Sequence, residues 1–304
     1  MKKPFWGLVL LILIFILLAA SSLRANNLFE ASLFYYFNGE PEVTIKLLET
    51  IKEQKEYQNE SVIYEYIARC YWNVIKNKMQ LDVLSYKEND NKETGRQKLE
   101  NNYLEARFIE NIDKAIKISQ ERYRENQSPV NAYNFIMASS IKAGYLVQVY
   151  GKEGAREAAT ILNDIADEIE LCLKAVPPFC LAYFPLGTTQ YFITQKVPFW
   201  VRYTVLPLRY KKLYNLINFD KDEAIMFLEI ASRCDDSSFR NTETLFAFQE
   251  LLMAHENNQR KRLEYNLKTL PILQELIKKY PDNKKLKENL KIINLYFKQR
   301  ANPN

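Results

Sequence analysis

Side chains that commonly catalyse reactions are sparse in this chain. Its one histidine, His255, excludes multi-histidine metal sites, and its position near the end of a predicted helix favours a structural or solvated role. The Gly151-Lys-Glu-Gly154 stretch lacks the spacing of a phosphate-binding loop, and Ile225 stands where a calcium loop beginning at Asp220 needs glycine. Two carboxylates that meet across the fold, as in glycosidases, are the catalytic arrangement that stays open. The sequence predicts a binding protein without metal or cofactor rather than an enzyme.

The most unusual chemistry lies in residues 171–219, which contain no aspartate or glutamate. Eleven aromatic residues and five prolines occur there, so one continuous helix is not expected. Its basic residues are Lys174, Lys196, Arg202, Arg209, Lys211 and Lys212. Three interpretations are open: a buried core segment, a groove for an anionic or aromatic partner, and a surface that docks on a membrane. The residues expected to bind the partner or ligand are Trp200, Arg202, Tyr203, Arg209 and Tyr210.

The four cysteines are too far apart for a C-x-x-C pair, which argues against a zinc site or a thioredoxin-like motif. Cys172 and Cys180 flank the Pro177-Pro178 turn and would be close enough for a disulfide in an oxidising compartment. The alternative is that all four are small buried thiols, and this interpretation is favoured. The other two cysteines are Cys70 and Cys234.

Residues 1–25 have the three parts of a secretory signal. Lys2 and Lys3 are positive, residues 5–20 are uncharged and mostly apolar, and small residues follow at positions 19–22. The alternative is an uncleaved N-terminal membrane anchor, and the absence of a cysteine here excludes a lipid attachment site. We therefore expect an exported protein, either periplasmic or anchored and facing the periplasm or exterior.

The remaining chain has almost no net charge. Removing Lys2, Lys3 and Arg24 from the 42 basic residues leaves 39 against 37 acidic ones. A nucleic-acid-binding domain normally shows a pronounced basic surplus. No nucleic-acid partner is expected.

Composition and periodicity predict an all-α fold for residues 26–304, a single domain built from stacked antiparallel helical hairpins. Only 7 glycines occur in 304 residues, and apolar residues recur at helical spacing almost throughout. We expect at least about two-thirds helix and no substantial sheet. Ala158, Leu162, Ile165, Ile169 and Cys172 predict one long amphipathic helix ending before Pro177-Pro178. Residues 87–102 are predicted to form an exposed, mobile polar loop.

Helix lengths and turns resemble those of the tetratricopeptide superfamily. Several short elements match its small-x3-large-x2-small and small-x2-Tyr motifs, although no repeat carries the whole consensus. These elements are Ala224-x3-Leu228-x2-Ala231, Ala68-x2-Tyr71 and Ser32-x2-Tyr35. Ala158-x3-Leu162-x2-Ile165 matches less well, because Ile165 stands in place of the last small residue. The resemblance implies a degenerate, compact array or short solenoid of helical hairpins that binds other proteins.

A narrower resemblance is to the T-component family of TRAP transporters, exported helical proteins that end in a Pro-Asp turn and one final helix. The residues that carry it are Ala224, Leu228 and Ala231 with Pro281-Asp282-Asn283 and Glu288-Asn289-Leu290. Many members of that family are lipoproteins, and the missing N-terminal cysteine is a departure. The resemblance implies pairing with a solute-binding protein.

Together these patterns predict an exported, non-catalytic protein that binds a partner protein or a small anionic or aromatic ligand. An accessory role in periplasmic solute uptake is the specific form of this hypothesis. A membrane-anchored scaffold for envelope assembly is the alternative, and a carboxylate-based hydrolase is a third interpretation. Membrane contact is expected through the N-terminal segment.

Overall fold

The structure, a computed structural model, describes residues 28–79, 103–234, 239–253 and 259–301. The signal or anchor segment at 1–25, the polar loop at 87–102 and His255 lie outside these residues. Among the described helices, none has both the length and the apolar character needed to cross a bilayer.

The predicted all-α class is confirmed. Helix makes up 86% of the described residues, and no strand occurs among them. The α-helices are α1 (28–37), α2 (Pro41–Lys52), α3 (Ser61–Met79), α4 (Tyr103–Glu125), α5 (Pro129–Tyr150), α6 (Lys152–Asp164), α7 (Ala166–Lys174), α8 (Tyr183–Lys196), α9 (Leu206–Arg209), α10 (Lys211–Leu216), α11 (Lys221–Ser232), α12 (Phe239–Met253), α13 (Gln259–Lys279) and α14 (Lys284–Ala301).

Local sequence signals set most helix boundaries. Gly39 adopts a φ of 83° after α1, and Pro41 occupies the first turn of α2, where a missing N–H does no harm. The Ser128 side chain accepts a hydrogen bond from the Asn131 N–H at 3.3 Å, capping α5. Asp220 caps α11 in the same way, accepting from the N–H of Asp222 at 2.8 Å.

The single long helix predicted over residues 158–172 is wrong. The chain breaks at Ile165, between α6 and α7, although Ile165 and Ile169 are both buried as the apolar stripe required. The side-chain oxygen of Asn163 accepts hydrogen bonds from the N–H groups of Lys212 and Leu213. This contact ties the end of α6 to α10, and such a tertiary constraint is invisible in a local periodicity.

Helices α3, α4 and α5 pack as antiparallel neighbours around one large apolar core. Near one end of the α3–α4 pair, Arg122 makes two hydrogen bonds to Glu60, of 2.9 and 2.6 Å. Farther along, Phe108 of α4 stacks on Tyr145 of α5 with 4.0 Å between ring centroids. Both rings are fully buried, as the predicted helical stripes require.

Helices α8 and α11 form a further antiparallel pair, and they approach closely because Gly187 has no side chain. A Cβ atom at Gly187 would lie 2.8 Å from the carbonyl oxygen of Ala224 and 2.9 Å from Cγ of Leu228. Gln190 then donates to the Asp220 carbonyl oxygen at 2.9 Å. The connection between these two helices runs from 197 to 220, far longer than a normal hairpin turn.

The C-terminal helices close the fold onto the N-terminal ones instead of extending an open array. Phe37 of α1 stacks on Phe246 of α12, with centroids 5.3 Å apart. In the turn before α14, the Asp282 N–H donates to Oδ1 of Asn38 at 3.1 Å, and Nδ2 of Asn283 donates to the Phe37 carbonyl at 2.7 Å. The turns at the two ends of the chain are therefore bound to each other.

Both interpretations of the cysteines drawn from the sequence are wrong: the four are not all free thiols, and the disulfide does not join Cys172 to Cys180. Cys180 is bonded to Cys234, with Cα atoms 6.0 Å apart, and Cys172 is a buried free thiol, as is Cys70. Cys172 instead directs its Sγ to the Pro129 carbonyl at 3.5 Å. The bond joins the start of the α8 region to the end of α11, so it closes the base of the hairpin with the long connection.

Candidate functional sites

The five residues expected to bind a partner lie together on the connection between α8 and α11. A helical stretch covers residues 199–209, and Tyr210 follows it. Trp200 is 63% exposed and Tyr203 is 46% exposed, and Arg209 is also exposed. Arg202 and Tyr210 are half-buried. The core interpretation therefore does not describe this stretch, although it does describe α8, whose Phe184 and Tyr191 are buried.

Proline shapes this stretch. Pro207 has no N–H to donate to the Tyr203 carbonyl, which an α-helix would require. The backbone widens into a π-helical turn at Val201–Val205, and the Leu206 N–H donates to the Val201 carbonyl. Single π turns of this kind occur frequently at functional sites.

Aromatic rings and an arginine pack against one another across the stretch. The rings of Phe199 and Tyr203 are 4.5 Å apart between centroids, and Tyr203 lies 5.4 Å from Phe219. The Arg202 guanidinium carbon is 5.8 Å from the centroid of Phe199 and 6.0 Å from that of Phe219. We use the name aromatic surface for the exposed side chains of Phe199, Trp200, Tyr203, Leu208 and Arg209 together with the half-buried Arg202 that packs among them.

Most cations of the acid-free segment form no ion pair within the part of the chain that the structure describes. Lys174 pairs with Glu170 at 2.5 Å and Lys212 with Asp167 at 2.6 Å, both acids lying outside the 171–219 run. Among the described residues, no carboxylate pairs with the other four cations. These are Lys196, Arg202, Arg209 and Lys211. The segment thus presents unneutralised positive charge beside exposed apolar rings, an arrangement suited to an anionic surface.

A second candidate site is a cavity of about 810 Å³ that sequence reasoning missed. Its walls come from the α1–α2 turn, α3, α12 and the turn before α14, with Phe184 contributing from α8. We call it the polar cavity. The only signal in the sequence was a polar stripe on α3, formed by Arg69, Asn73, Lys76 and Asn77, and a solvated face would give the same pattern.

Lys76 is the chemically unusual residue of the polar cavity. Its ammonium lies 4.7 Å from the centroid of the Trp72 ring, and among the described residues no carboxylate forms an ion pair with it. Burial lowers the pKa of Lys76 to about 8; Glu250 opposes this, while Lys285 and Arg69 add to it. A cation that is partly desolvated and lacks a partner can receive an anion at low cost.

At the inner wall of the polar cavity lies a charge cluster formed by the buried Glu65, Arg240 and Glu243 and the half-buried Arg69. Arg240 binds both oxygens of Glu65, at 2.6 and 2.8 Å, and reaches Glu243 at 3.1 Å. Arg69 donates from Nε to Glu65 at 2.9 Å and lies 3.5 Å from Glu243. Every member is thereby paired across the α3–α12 interface.

The Glu65 carboxylate of the charge cluster is poorly suited to general acid chemistry. Burial alone would raise the pKa of Glu65, but Arg240 and Arg69 outweigh it and hold the pKa below its usual range. A catalytic acid needs a pKa raised towards neutrality. The described residues also contain no group of three or more His, Cys, Asp or Glu able to hold a metal ion.

Comparisons of the chain with protein-family models, with curated proteins and with solved structures find no match. Function must therefore be argued from the two sites themselves.

Proposed function

We propose that this chain is an exported, non-catalytic helical protein that docks on an acidic partner protein through its aromatic surface. The observation that carries the proposal is the exposure of Trp200 and Tyr203 among cations that no carboxylate neutralises within the described part of the chain. Aromatic residues and arginine are enriched at protein interfaces, where rings bury area and arginine pairs with carboxylates.

The architecture around the aromatic surface supports the same proposal. The surface lies on a connection inserted into the tightly packed α8–α11 pair, and Cys180–Cys234 fixes the base of that pair. Binding residues are often carried on loops held by a rigid scaffold. The disulfide also supports export, since such bonds persist in oxidising compartments.

The role in solute uptake is a more specific proposal that rests on the resemblance to the T-component family alone. It would make the acidic partner a solute-binding protein. A scaffold for envelope assembly would use the same surface with a different partner, and the experiment below identifies which partner is present.

Photo-crosslinking from the aromatic surface tests the proposal. The full chain with p-benzoylphenylalanine in place of Trp200 is expressed in its source organism, and adducts are identified by mass spectrometry. We expect one dominant protein adduct with an acidic surface, which is lost when Arg202 and Arg209 are changed to Glu. The matched control carries the crosslinker at Leu267, which is 56% exposed on α13, and should give no such adduct.

Two results would contradict the proposal. Equal adduct patterns from positions 200 and 267 would show that the aromatic surface has no specific partner. Adducts with lipid alone would instead make it a membrane-docking surface, as Trp, Tyr and basic residues also favour the bilayer interface.

A further inference from the structure

We propose that the polar cavity binds a small organic acid that has one carboxylate and an apolar body, with Lys76 contacting the carboxylate. This site is separate from the aromatic surface and does not depend on the partner proposed above.

The size and construction of the polar cavity fit a small molecule. Its volume of about 810 Å³ lies within the range of roughly 300–1,000 Å³ typical of ligand sites. The hydrogen bonds from Asp282 to Asn38 and from Asn283 to Phe37 join the two turns that form its walls. The cavity is therefore built by closure of the chain ends and is not a gap between loosely packed helices.

Lining charges indicate a single negative charge on the ligand. Five cations and four acids line the cavity, and Lys285 pairs with Glu250 at 2.6 Å. Arg69 is held by the carboxylates of the charge cluster. Lys76 is the half-buried lining cation that no carboxylate of the described ranges pairs with, while Lys284 and Lys287 are exposed at the rim. A dianion would meet the repulsion of the lining acids, whereas one carboxylate balances Lys76.

Neutral polar groups next to Lys76 can complete the recognition of a carboxylate. Asn73 and Asn77 line the cavity one turn apart on α3, and the side-chain amide of neither makes a hydrogen bond to another described residue. Their amide N–H groups can donate to carboxylate oxygens, and hydrogen bonds to charged groups are the stronger kind.

Aromatic side chains provide the surface for an apolar body. The lining includes Tyr36, Phe37, Phe184 and Phe246. Pockets that combine apolar walls with a few convergent polar groups are the usual form of a small-molecule site. A bare inorganic anion has no apolar group to pack on the parts of these rings that face the cavity.

Trp72 fluorescence gives a direct test, because its ring lies under the Lys76 ammonium. The chain has three tryptophans, so W6F and W200F in the full chain, purified in detergent, leave Trp72 as the reporter. The probes are cyclohexanecarboxylate and its uncharged isostere cyclohexanecarboxamide, neither of which absorbs near 290 nm. We expect a saturable change with the carboxylate and at least about tenfold weaker binding of the amide.

Variants then assign the charge recognition to Lys76. K76M should weaken carboxylate binding by about tenfold or more, and K76R should retain it to within about threefold. K114M is the matched control, because Lys114 also lies 4.7 Å over a ring, that of Tyr64, but does not line the cavity. Its binding should equal that of the parent.

Three results would overturn the inference: no saturable change with the carboxylate, equal binding of carboxylate and amide, or unchanged binding in K76M. If K76M fails to fold, the test is the binding of the two probes to the parent and to K76R. Equal binding of carboxylate and amide by both proteins would then overturn the inference.

Discussion

The charge cluster and the aromatic surface use the same residue types in opposite ways. Arg240 is buried, touches both oxygens of Glu65 and lies 5.8 Å from the ring of Tyr66. Arg202 also lies over aromatic rings, but no carboxylate pairs with it among the described residues. The difference shows that an arginine beside rings is structural where acids neutralise it, and available to a partner where they do not.

The largest expected effect sharpens this comparison through stability. Arg240→Ala leaves Glu65 and Glu243 buried with less compensation, and should lower the free energy of unfolding by about 3–5 kcal/mol. The melting temperature, followed by circular dichroism, should fall by about 10 °C. Arg209→Ala, the matched change on the aromatic surface, should alter stability by less than about 0.5 kcal/mol. Similar losses in the two variants would remove the distinction between the regions.

The disulfide should give the next largest effect, because it fixes the base of the hairpin that carries the aromatic surface. Changing Cys180 and Cys234 together to serine should cost about 2–4 kcal/mol of stability. Peptide mapping without reduction should find these two cysteines linked. Cys70 and Cys172, both buried, should react with iodoacetamide only after unfolding. A linked Cys172 would contradict the structure.

Packing of the α8–α11 pair, whose connection carries the aromatic surface, can be tested at Gly187. Its replacement by Ala brings a methyl group into the Ala224 carbonyl and the Leu228 side chain, and overpacking of this kind costs about 1–3 kcal/mol. Gln195→Ala, at an exposed position of the same helix, should change the urea midpoint very little. An unaffected midpoint in Gly187→Ala would mean that α8 and α11 are not in close contact.

Lys76 differs from both arginines, because it is a partly buried cation with no carboxylate partner among the described residues. Its effect on stability should therefore depend on pH. Because burial lowers its pKa in the folded state to about 8, the unfolded chain binds more protons between about pH 8 and 10.5. Stability of the wild type relative to K76M should therefore rise as pH increases through that window. The charged groups that act on it are Glu250, Lys285 and Arg69.

The stability of the wild type relative to K76M should rise by on the order of 1 kcal/mol over this pH range, because solvent screens a partly exposed charge. Urea unfolding of the wild type and K76M at pH 7.5 and 9.5 measures it. A relative stability that falls with pH would show that Lys76 is stabilised as a cation.

The sequence predicted features that depend on nearby residues. Ser128 and Pro41 are helix-start signals of this local kind, because a capping side chain and a proline act through hydrogen bonding and backbone geometry within one turn. The acid-free run was also visible, because the absence of acids nearby is a local property. The sequence did not show that this run divides into a buried α8 and an exposed helical stretch. The burial of α8 depends on its packing against α11, which Gly187 approaches closely.

Features that depend on distant pairings could not be predicted. Glu65 and Arg240 are 175 positions apart, and each alone has the appearance of an ordinary surface charge. Cys180 bonds to a cysteine 54 residues away, although the Pro-Pro turn suggested the nearer Cys172. The polar cavity needs both chain ends to meet, so no single segment contains its pattern.

The central claim is that the aromatic surface binds a partner and does not hold the fold together. The most direct test changes Arg202 and Arg209 together to Ala, and follows both the melting temperature and the crosslink from position 200. We predict that the melting temperature falls by at most about 3 °C, since only the contacts of Arg202 with its rings are lost, while the crosslink disappears. A large fall in melting temperature with the crosslink intact would show that these arginines stabilise the fold and would contradict the account.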